Sequence, residues 1–288
     1  MDQRALSARI ASKARTKTHS KFLKGSPLSR ILITGSADGL GLMTAQLLVS
    51  QGHDVVLHAR NNARAEDGLA AAAGAAGAVV GDLSSIEQMQ SVARQANESG
   101  QFDTVIHNAG VGYREPRKIV TPDGLSHVFA INVLAPYLLT SLITPPRRLV
   151  YLSSGMHPGG DPDLNDLQWE RRPWDPAQAY SDSKLFDAVL AFAVARRWPS
   201  VLSNALEPGW VPTKMGGPSA PDDIGQAYLT QAWLATSDDP AATISGAYFY
   251  HKARKTPSPA ARETEVQEGL LSACAELTGT RLPTLSHR

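Results

Sequence analysis

From Arg30 onward, short apolar runs alternate with longer stretches in which apolar residues recur at helical spacing. Runs at 30–34, 54–58, 78–80, 104–107, 148–153, 201–206 and 246–250 predict seven strands. Helical patterns at 39–51, 62–73, 85–99, 123–142, 179–197 and 222–236 separate them. A strand that is apolar on both faces must be covered on both faces, and a helix between successive strands makes neighbours parallel. The predicted fold is therefore α/β, a doubly wound Rossmann-type parallel seven-stranded sheet in a single domain over 30–280, with a short tail at 281–288. The tract from Leu69 to Gly77, mostly alanine and glycine, reads as helix and turn padding.

Residues 1–29 differ in kind. They carry Arg4, Arg9, Lys13, Arg15, Lys17, Lys21 and Lys24 against the single acid Asp2, with too few apolar side chains to offset the entropy of ordering them. This segment is expected to be a basic, flexible tail. The whole chain of 288 residues has 28 Lys+Arg against 27 Asp+Glu. Residues 31–288, taken alone, hold 20 basic and 26 acidic side chains, so the body has no bias toward nucleic acid. Its one cysteine, Cys274, forms no internal disulfide, which favours a reducing compartment. No apolar run approaches the roughly 18 residues of a membrane span, and no signal-peptide pattern is visible. These features predict a cytoplasmic protein without a membrane span.

Candidate chemistry begins where the first strand meets the first helix. Gly35, Gly39 and Gly41 lie in the loop Thr34-Gly35-Ser36-Ala37-Asp38-Gly39-Leu40-Gly41. Such glycines allow a tight turn, let backbone approach a pyrophosphate and bring helix close to strand, while the helix N-terminus offers unpaired N–H groups. At the end of the second strand, Arg60 and Asn61 stand where dinucleotide folds place either an acid for the ribose of NAD or an arginine for the 2′-phosphate of NADP. Arg64 follows one helical turn later. Asp38 argues the other way, because its charge would repel that phosphate. NADP(H) is the expected cofactor, with NAD(H) left open.

Tyr180 and Lys184 are four residues apart in a helical pattern, so both lie on one face. A neighbouring ammonium favours the phenolate and lowers the tyrosine pKa from its usual ~10, as a general acid/base near neutrality requires. By itself the pair could be a packing tyrosine and a solvated lysine. Ser154 and Asn132, carried by elements that reach the carboxyl edge of the sheet, change that reading. No HExxH pattern or cysteine cluster points to a metal, and no GxSxG elbow points to a hydrolase.

The TGxxxGxG spacing of 34–41 resembles the short-chain dehydrogenase/reductase family. So do Gly81-Asp82-Leu83, His107-Asn108-Ala109-Gly110 (the family's NNAG with His107 in place of the first Asn), Ser153-Ser154, Tyr180-x-x-x-Lys184 and Pro208-Gly209-Trp210-Val211-Pro212-Thr213. The resemblance implies a catalytic set of Asn132, Ser154, Tyr180 and Lys184. Tyr180 would exchange a proton with the substrate oxygen, and Lys184 would lower its pKa and bind the nicotinamide ribose. Ser154, with Ser153 as its rival, would polarise the carbonyl, and Asn132 would hold a relay water. It also implies cofactor contacts from Gly35, Ser36, Asp38, Gly39, Leu40, Gly41, Arg60, Asn61, Asp82, Leu83, Asn108, Ala109, Gly110, Tyr180, Lys184, Pro208, Gly209, Val211 and Thr213, with Asp82 touching the adenine.

The 25 residues 155–179 between Ser154 and Tyr180, the run Thr121–Asn132 and the segment from Gly246 to Arg262 with a final helix resemble the retinol-dehydrogenase-like and protochlorophyllide-reductase-like branch. The implied activity is hydride transfer between nicotinamide and a small-molecule carbonyl or secondary alcohol. Met156, Trp169, Trp174, Trp210 and Met215 would line an apolar, lipophilic site. Turn residues Gly216, Gly217, Pro218 and Pro221 mark 210–221 as a lid over the cofactor. Relatives often pair through the helices of Asn132 and Tyr180, which leaves a homodimer open. The alternative reading is an idle dinucleotide sensor or scaffold, although all four proton-transfer residues are present; an epimerase would carry TGxxGxxG instead.

Overall fold

The computed structural model describes residues 28–285; the basic tail expected over 1–29 lies, but for its last two residues, outside the described residues. Eight strands form one sheet in the order β3-β2-β1-β4-β5-β6-β7-β8. They are β1 (Arg30–Ile33), β2 (Asp54–Ala59), β3 (Gly77–Val80), β4 (Thr104–His107), β5 (Arg148–Leu152), β6 (Leu202–Glu207), β7 (Tyr248–Tyr250) and β8 (Ala253–Lys255). The first seven are parallel, each register running as Ile31↔Val55 and Ile31↔Thr104 do, and β8 alone is antiparallel. The order reverses between β1 and β4, which opens a crevice at their carboxyl ends.

The expected seventh strand was to be the last, and β8 corrects that count. It returns from β7 through His251 and Lys252, both left-handed at φ 47° and 64°. A two-residue hairpin of this kind usually announces itself by Asn or Gly; here His251 stacks on Tyr250 at 3.9 Å and the signal is absent from the sequence.

Helices cover both faces. They are α1 (Gly39–Ser50), α2 (Asn62–Ala71), α3 (Ile86–Glu98), α4 (His127–Phe129), α5 (Ala135–Leu142), α6 (Pro176–Arg197), α7 (Ile224–Ala227), α8 (Leu229–Thr236) and α9 (Thr264–Thr278). Alternation along each strand splits the core in two. Leu32, Val56, Val105 and Leu149 pack with α3, α5, α6 and α9, whereas Ile31, Ile33, Val55, Ile106 and Val150 pack with α1 and α8.

Two predicted helix boundaries move for physical reasons. The pattern at 179–197 begins at Pro176, because Asp175 accepts from Ala177 N and Gln178 N at 2.9 and 3.1 Å and proline suits the first turn. The pattern at 123–142 starts only at His127, and between α4 and α5 it widens into a π turn over Ala130–Leu134, centred on Asn132.

The 155–179 segment is tied to α6. Arg172 reaches Asp182 at 2.6 Å, Asp161 at 3.3 Å and Asp166 at 3.5 Å, and its guanidinium lies 3.8 Å over the Trp169 ring. Asp182 is buried, and burial pushes its carboxyl upward despite the arginine. Residues 179–194 of α6 are buried throughout, under α9 and the turns 157–159 and 259–262. Removing the cation that serves Asp182 leaves a buried carboxylate with the Asp161 N–H and the Gln178 amide at 2.8 and 2.7 Å but without its counter-charge. Arg172→Met is expected to cost about 2–3 kcal/mol in urea unfolding and to open 155–175 to limited proteolysis; unchanged stability and cleavage would contradict the clamp.

Candidate active site

The glycine loop is built by close contact and by turn conformation. A Cβ on Gly41 would lie 2.5 Å from Asn108 Nδ2 and 2.5 Å from Gly35 O, so no larger residue fits where α1 meets the β4 edge. Gly39 has φ +54° and no neighbour within 4 Å of a would-be Cβ. It faces open space at the first turn of α1, where a helix N-terminus gives the surroundings an anion needs, while its own N–H is held by the Asp38 carboxylate. The donor set and this cradle fit a dinucleotide pyrophosphate.

Several expected cofactor residues prove to be spent on the loop itself. Ser36 is fully buried; its hydroxyl donates to Ile33 O at 2.8 Å and accepts from His58 N at 3.0 Å. Asn108 donates to Thr34 O and Gly35 O at 2.9 and 3.1 Å, while Thr34 Oγ1 accepts from Asn108 N and Ala109 N. Asn61 caps α2, accepting from Arg64 N at 3.0 Å. Leu83 and Val211 are buried, Asp82 accepts from Ser84 N at 2.9 Å, and Leu40, Ala109, Gly110, Pro208 and Gly209 line the edge half-buried. These residues hold the rim in shape.

His58, which the sequence reading passed over, cross-ties that rim. Its Nδ1 accepts from Gly35 N at 2.9 Å, so its Nε2 carries the proton and donates to Gly81 O at 2.9 Å. Burial pushes this imidazole down to about 4.

The charges around Asp38 also differ from expectation. Its carboxylate accepts from Gly39 N at 2.7 Å and sits between Arg64, at 3.1 Å, and Lys214, which together hold it below its usual range. Lys214 belongs to 210–221, so this contact pins that loop to the glycine loop. The loop is further closed by Asp222 accepting from Trp210 N at 2.6 Å, and by Gly216 O accepting from Arg114 and Trp210 Nε1 at 3.0 and 3.1 Å. Thr213 Oγ1 accepts from Gly216 N at 3.1 Å. Arg60 is exposed and forms no ion pair among the described residues.

At the ends of β4, β5 and β6 the four candidate catalytic residues converge. Ser153 is buried with its hydroxyl donating to Lys184 O at 2.7 Å; Ser154 is half-buried and its hydroxyl accepts from Met156 N at 3.2 Å. Lys184 Nζ donates to Leu152 O at 2.8 Å and to Asp187 Oδ2 at 2.6 Å. It stands 5.8 Å from the centre of the Tyr180 ring. Asn132 is fully buried, and its amide clamps Val111, accepting from N at 2.8 Å and donating to O at 3.1 Å, and donates to Ser183 Oγ at 2.9 Å. With those bonds made, the amide acts as a clamp between the β4 edge and α6.

The tyrosine reading needs a correction. Burial raises the Tyr180 phenol above its ordinary value, and the Lys184 charge and the Ser154 hydroxyl pull it back only in part. The expected net lowering does not occur, because the cost of burying the phenolate outweighs what Lys184 and Ser154 return, and the nearby Asp187 adds to the rise. Among the lining aromatics, Tyr113 stands edge-on to Tyr180 at 5.4 Å and was not anticipated. Trp174 Nε1 donates to Glu115 O at 2.8 Å, and Met215 packs against Gly112. Trp169 is buried beneath Arg172, where it lines a small cavity with Phe129 and Phe186, and Trp210 is 51% exposed.

A tie made by a neutral histidine must fail in acid. His58 has its folded pKa depressed below the unfolded value of ~6.5, so its contribution is complete above that value and is lost as pH falls toward about 4. By pH 5 this amounts to about 2 kcal/mol. The urea stability of the native chain is expected to fall more steeply between pH 7 and 5 than that of His58→Gln; parallel curves would contradict the assignment.

The profile of the family described as short chain dehydrogenase matches residues 29–154. A short-chain dehydrogenase of Penicillium rubens is 40% identical over 89% of this chain and 100% of its own length. Retinol dehydrogenase 13 of Homo sapiens is 30% identical over 90% of this chain and 87% of its own. The solved structure of an uncharacterized protein from Mycobacterium paratuberculosis superposes with a TM-score of 0.75 at 26% identity, covering 90% of this chain and 97% of that one.

Proposed function

The chain belongs to the short-chain dehydrogenase/reductase family, in its retinol-dehydrogenase-like branch, and from that premise we propose that it is an NADP(H)-dependent reductase of a lipophilic carbonyl compound. The observation that carries this reading is the placement of Tyr180 beside both the Lys184 ammonium and the Ser154 hydroxyl at the carboxyl edge of the sheet. When bound, the dinucleotide supplies the hydride.

The chain's own residues supply position and the proton. Ser154 donates a hydrogen bond to the substrate carbonyl oxygen and polarises it. As the carbonyl carbon gains the hydride, the oxygen takes the Tyr180 proton, giving the alcohol and a tyrosinate that Lys184 stabilises until solvent reprotonates it. Asn132 fixes Val111 against α6 and so keeps the β4 edge in register with Tyr180. Tyr113 forms an aromatic wall next to the phenol, in keeping with an apolar substrate. Because α9 and two turns occupy the α6 surface, a homodimer would have to use another face.

Three features support NADP(H). Arg60 lies exposed at the end of β2, Arg64 stands one turn along α2, and the Asp38 charge that would oppose a 2′-phosphate is countered by Arg64 and Lys214. Lys214 also gives 210–221 a polar latch on the glycine loop, in the manner of a lid.

Oxidation of NADPH with a panel of ketones, aldehydes and quinones tests the activity, and Tyr180→Phe is expected to lower kcat/KM by about 10²–10⁴-fold. Turnover unaffected by that change would overturn the mechanism; tight NADPH binding without turnover of any substrate would favour a sensor. Arg60→Ala is expected to weaken NADPH binding by about 10–100-fold, the loss of one charge-assisted hydrogen bond, and to leave NADH nearly unchanged. Equal weakening of both would contradict the 2′-phosphate role.

A further inference from the structure

Tyr180, Lys184 and Asp187 fall at positions i, i+4 and i+7 of α6 and so share one face of the helix. Asp187 lies beyond the two residues of the sequence motif, and nothing in the reaction as described uses it. Yet its carboxylate is 2.6 Å from Lys184 Nζ, with side-chain exposures of 3% for Asp187 and 5% for Lys184. An ammonium has three N–H donors. Leu152 O takes one at 2.8 Å and Asp187 takes another, which leaves a single donor to face a ligand.

We infer that Asp187 is a positioning residue that aims Lys184 at the site and offsets part of its charge, so that Lys184 draws less on the Tyr180 proton than a lone ammonium would. The inference deepens the reductase reading above and rests on it for its meaning in turnover.

An uncompensated ammonium beside a buried phenol draws off its proton, typically by one to three pH units at this range. A buried carboxylate on the same ammonium offsets part of that pull once it is ionised, and burial pushes the Asp187 carboxyl up to about 7 even beside Lys184. The other groups facing this stripe carry no opposing charge at neutrality. Tyr151 from β5 and Tyr248 from β7 both face Asp187, and burial keeps both phenols protonated. Tyr113 presents its ring edge-on to Tyr180, and Ser154 contributes a hydroxyl. Beyond Tyr248, Glu207 is paired with Lys255 at 2.6 Å. Lys184 and Asp187 are thus the charges that set the phenol. A purely structural i, i+3 ion pair would hold the helix together and leave the Tyr180 titration where it is.

The test is a tyrosinate titration by ultraviolet difference absorbance on the full chain without cofactor, each protein read against the same protein carrying Tyr180→Phe. Asp187→Asn is expected to bring the Tyr180 signal down by about one pH unit or more, while Asp187→Glu, which keeps the charge, restores it to within a few tenths of the native chain. If Asp187→Asn does not fold, Asp187→Ser makes the same charge change with a smaller side chain. A Tyr180 titration that is unmoved, or that moves upward, in the neutral variant overturns the inference. The reading is independent of turnover, so it stands apart from the Tyr180→Phe activity assay, whose failure would remove the reductase assignment and leave this electrostatic result intact.

Discussion

The constraint on which the rest of the site depends is the burial of a lysine ammonium inside the main helix of an α/β sheet. A charge taken that far from water is tolerable only when its donors are met and its field is balanced. Here the Leu152 carbonyl at the end of β5 and the Asp187 carboxylate one turn along α6 do this. The lysine therefore fixes where α6 sits against β5, and Ser153, donating to the Lys184 carbonyl, ties the same two elements from the other side. Tyr180 and Ser154 inherit their positions from these ties.

The crevice side is organised by neutral cross-links. His58 joins the glycine loop to the end of β3, Thr34 and Asn108 join it to β4, and Asn132 joins β4 to α6 through Val111 and Ser183. Each link lies at the carboxyl edge, where the strand order reverses and backbone would otherwise be free to move. Charge appears at the rim, where Asp38 holds Arg64 and Lys214 together and draws 210–221 across the loop. The crevice side is thus set by neutral hydrogen bonds of fixed direction, and the entrance by ion pairs that an anionic ligand can compete for.

Much of this was legible in the sequence because it rests on local rules. Short apolar runs between helical patterns placed all seven parallel strands, and the glycine spacing placed the loop, since Gly39 and Gly41 answer constraints of conformation and contact that few other residues meet. What escaped was set by tertiary contact. The β7–β8 hairpin turns on His251 and Lys252, residues that carry no turn signal. Asp187 reads as an ordinary polar position in a helix until burial makes it the counter-charge of Lys184. The sign of the Tyr180 shift followed the same pattern: spacing shows that Lys184 is near, but only packing shows how deeply the phenol itself is buried. Ser36 and Asn61 fit the loop motif and serve it from within, as a hydroxyl tie and a helix cap.

A phenol kept protonated by burial, with its neighbouring ammonium balanced, should act as an acid across the neutral range. The most direct test of that account is the pH dependence of kcat/KM for NADPH-dependent reduction of whichever ketone the native chain turns over. The account predicts a profile that holds level from about pH 6.5 to 9 and falls only as the phenol, with its usual pKa of ~10 raised further by burial, gives up its proton. A rate that falls off below pH 8, or that climbs steadily with pH, would mean that Tyr180 is not the acid held in this way.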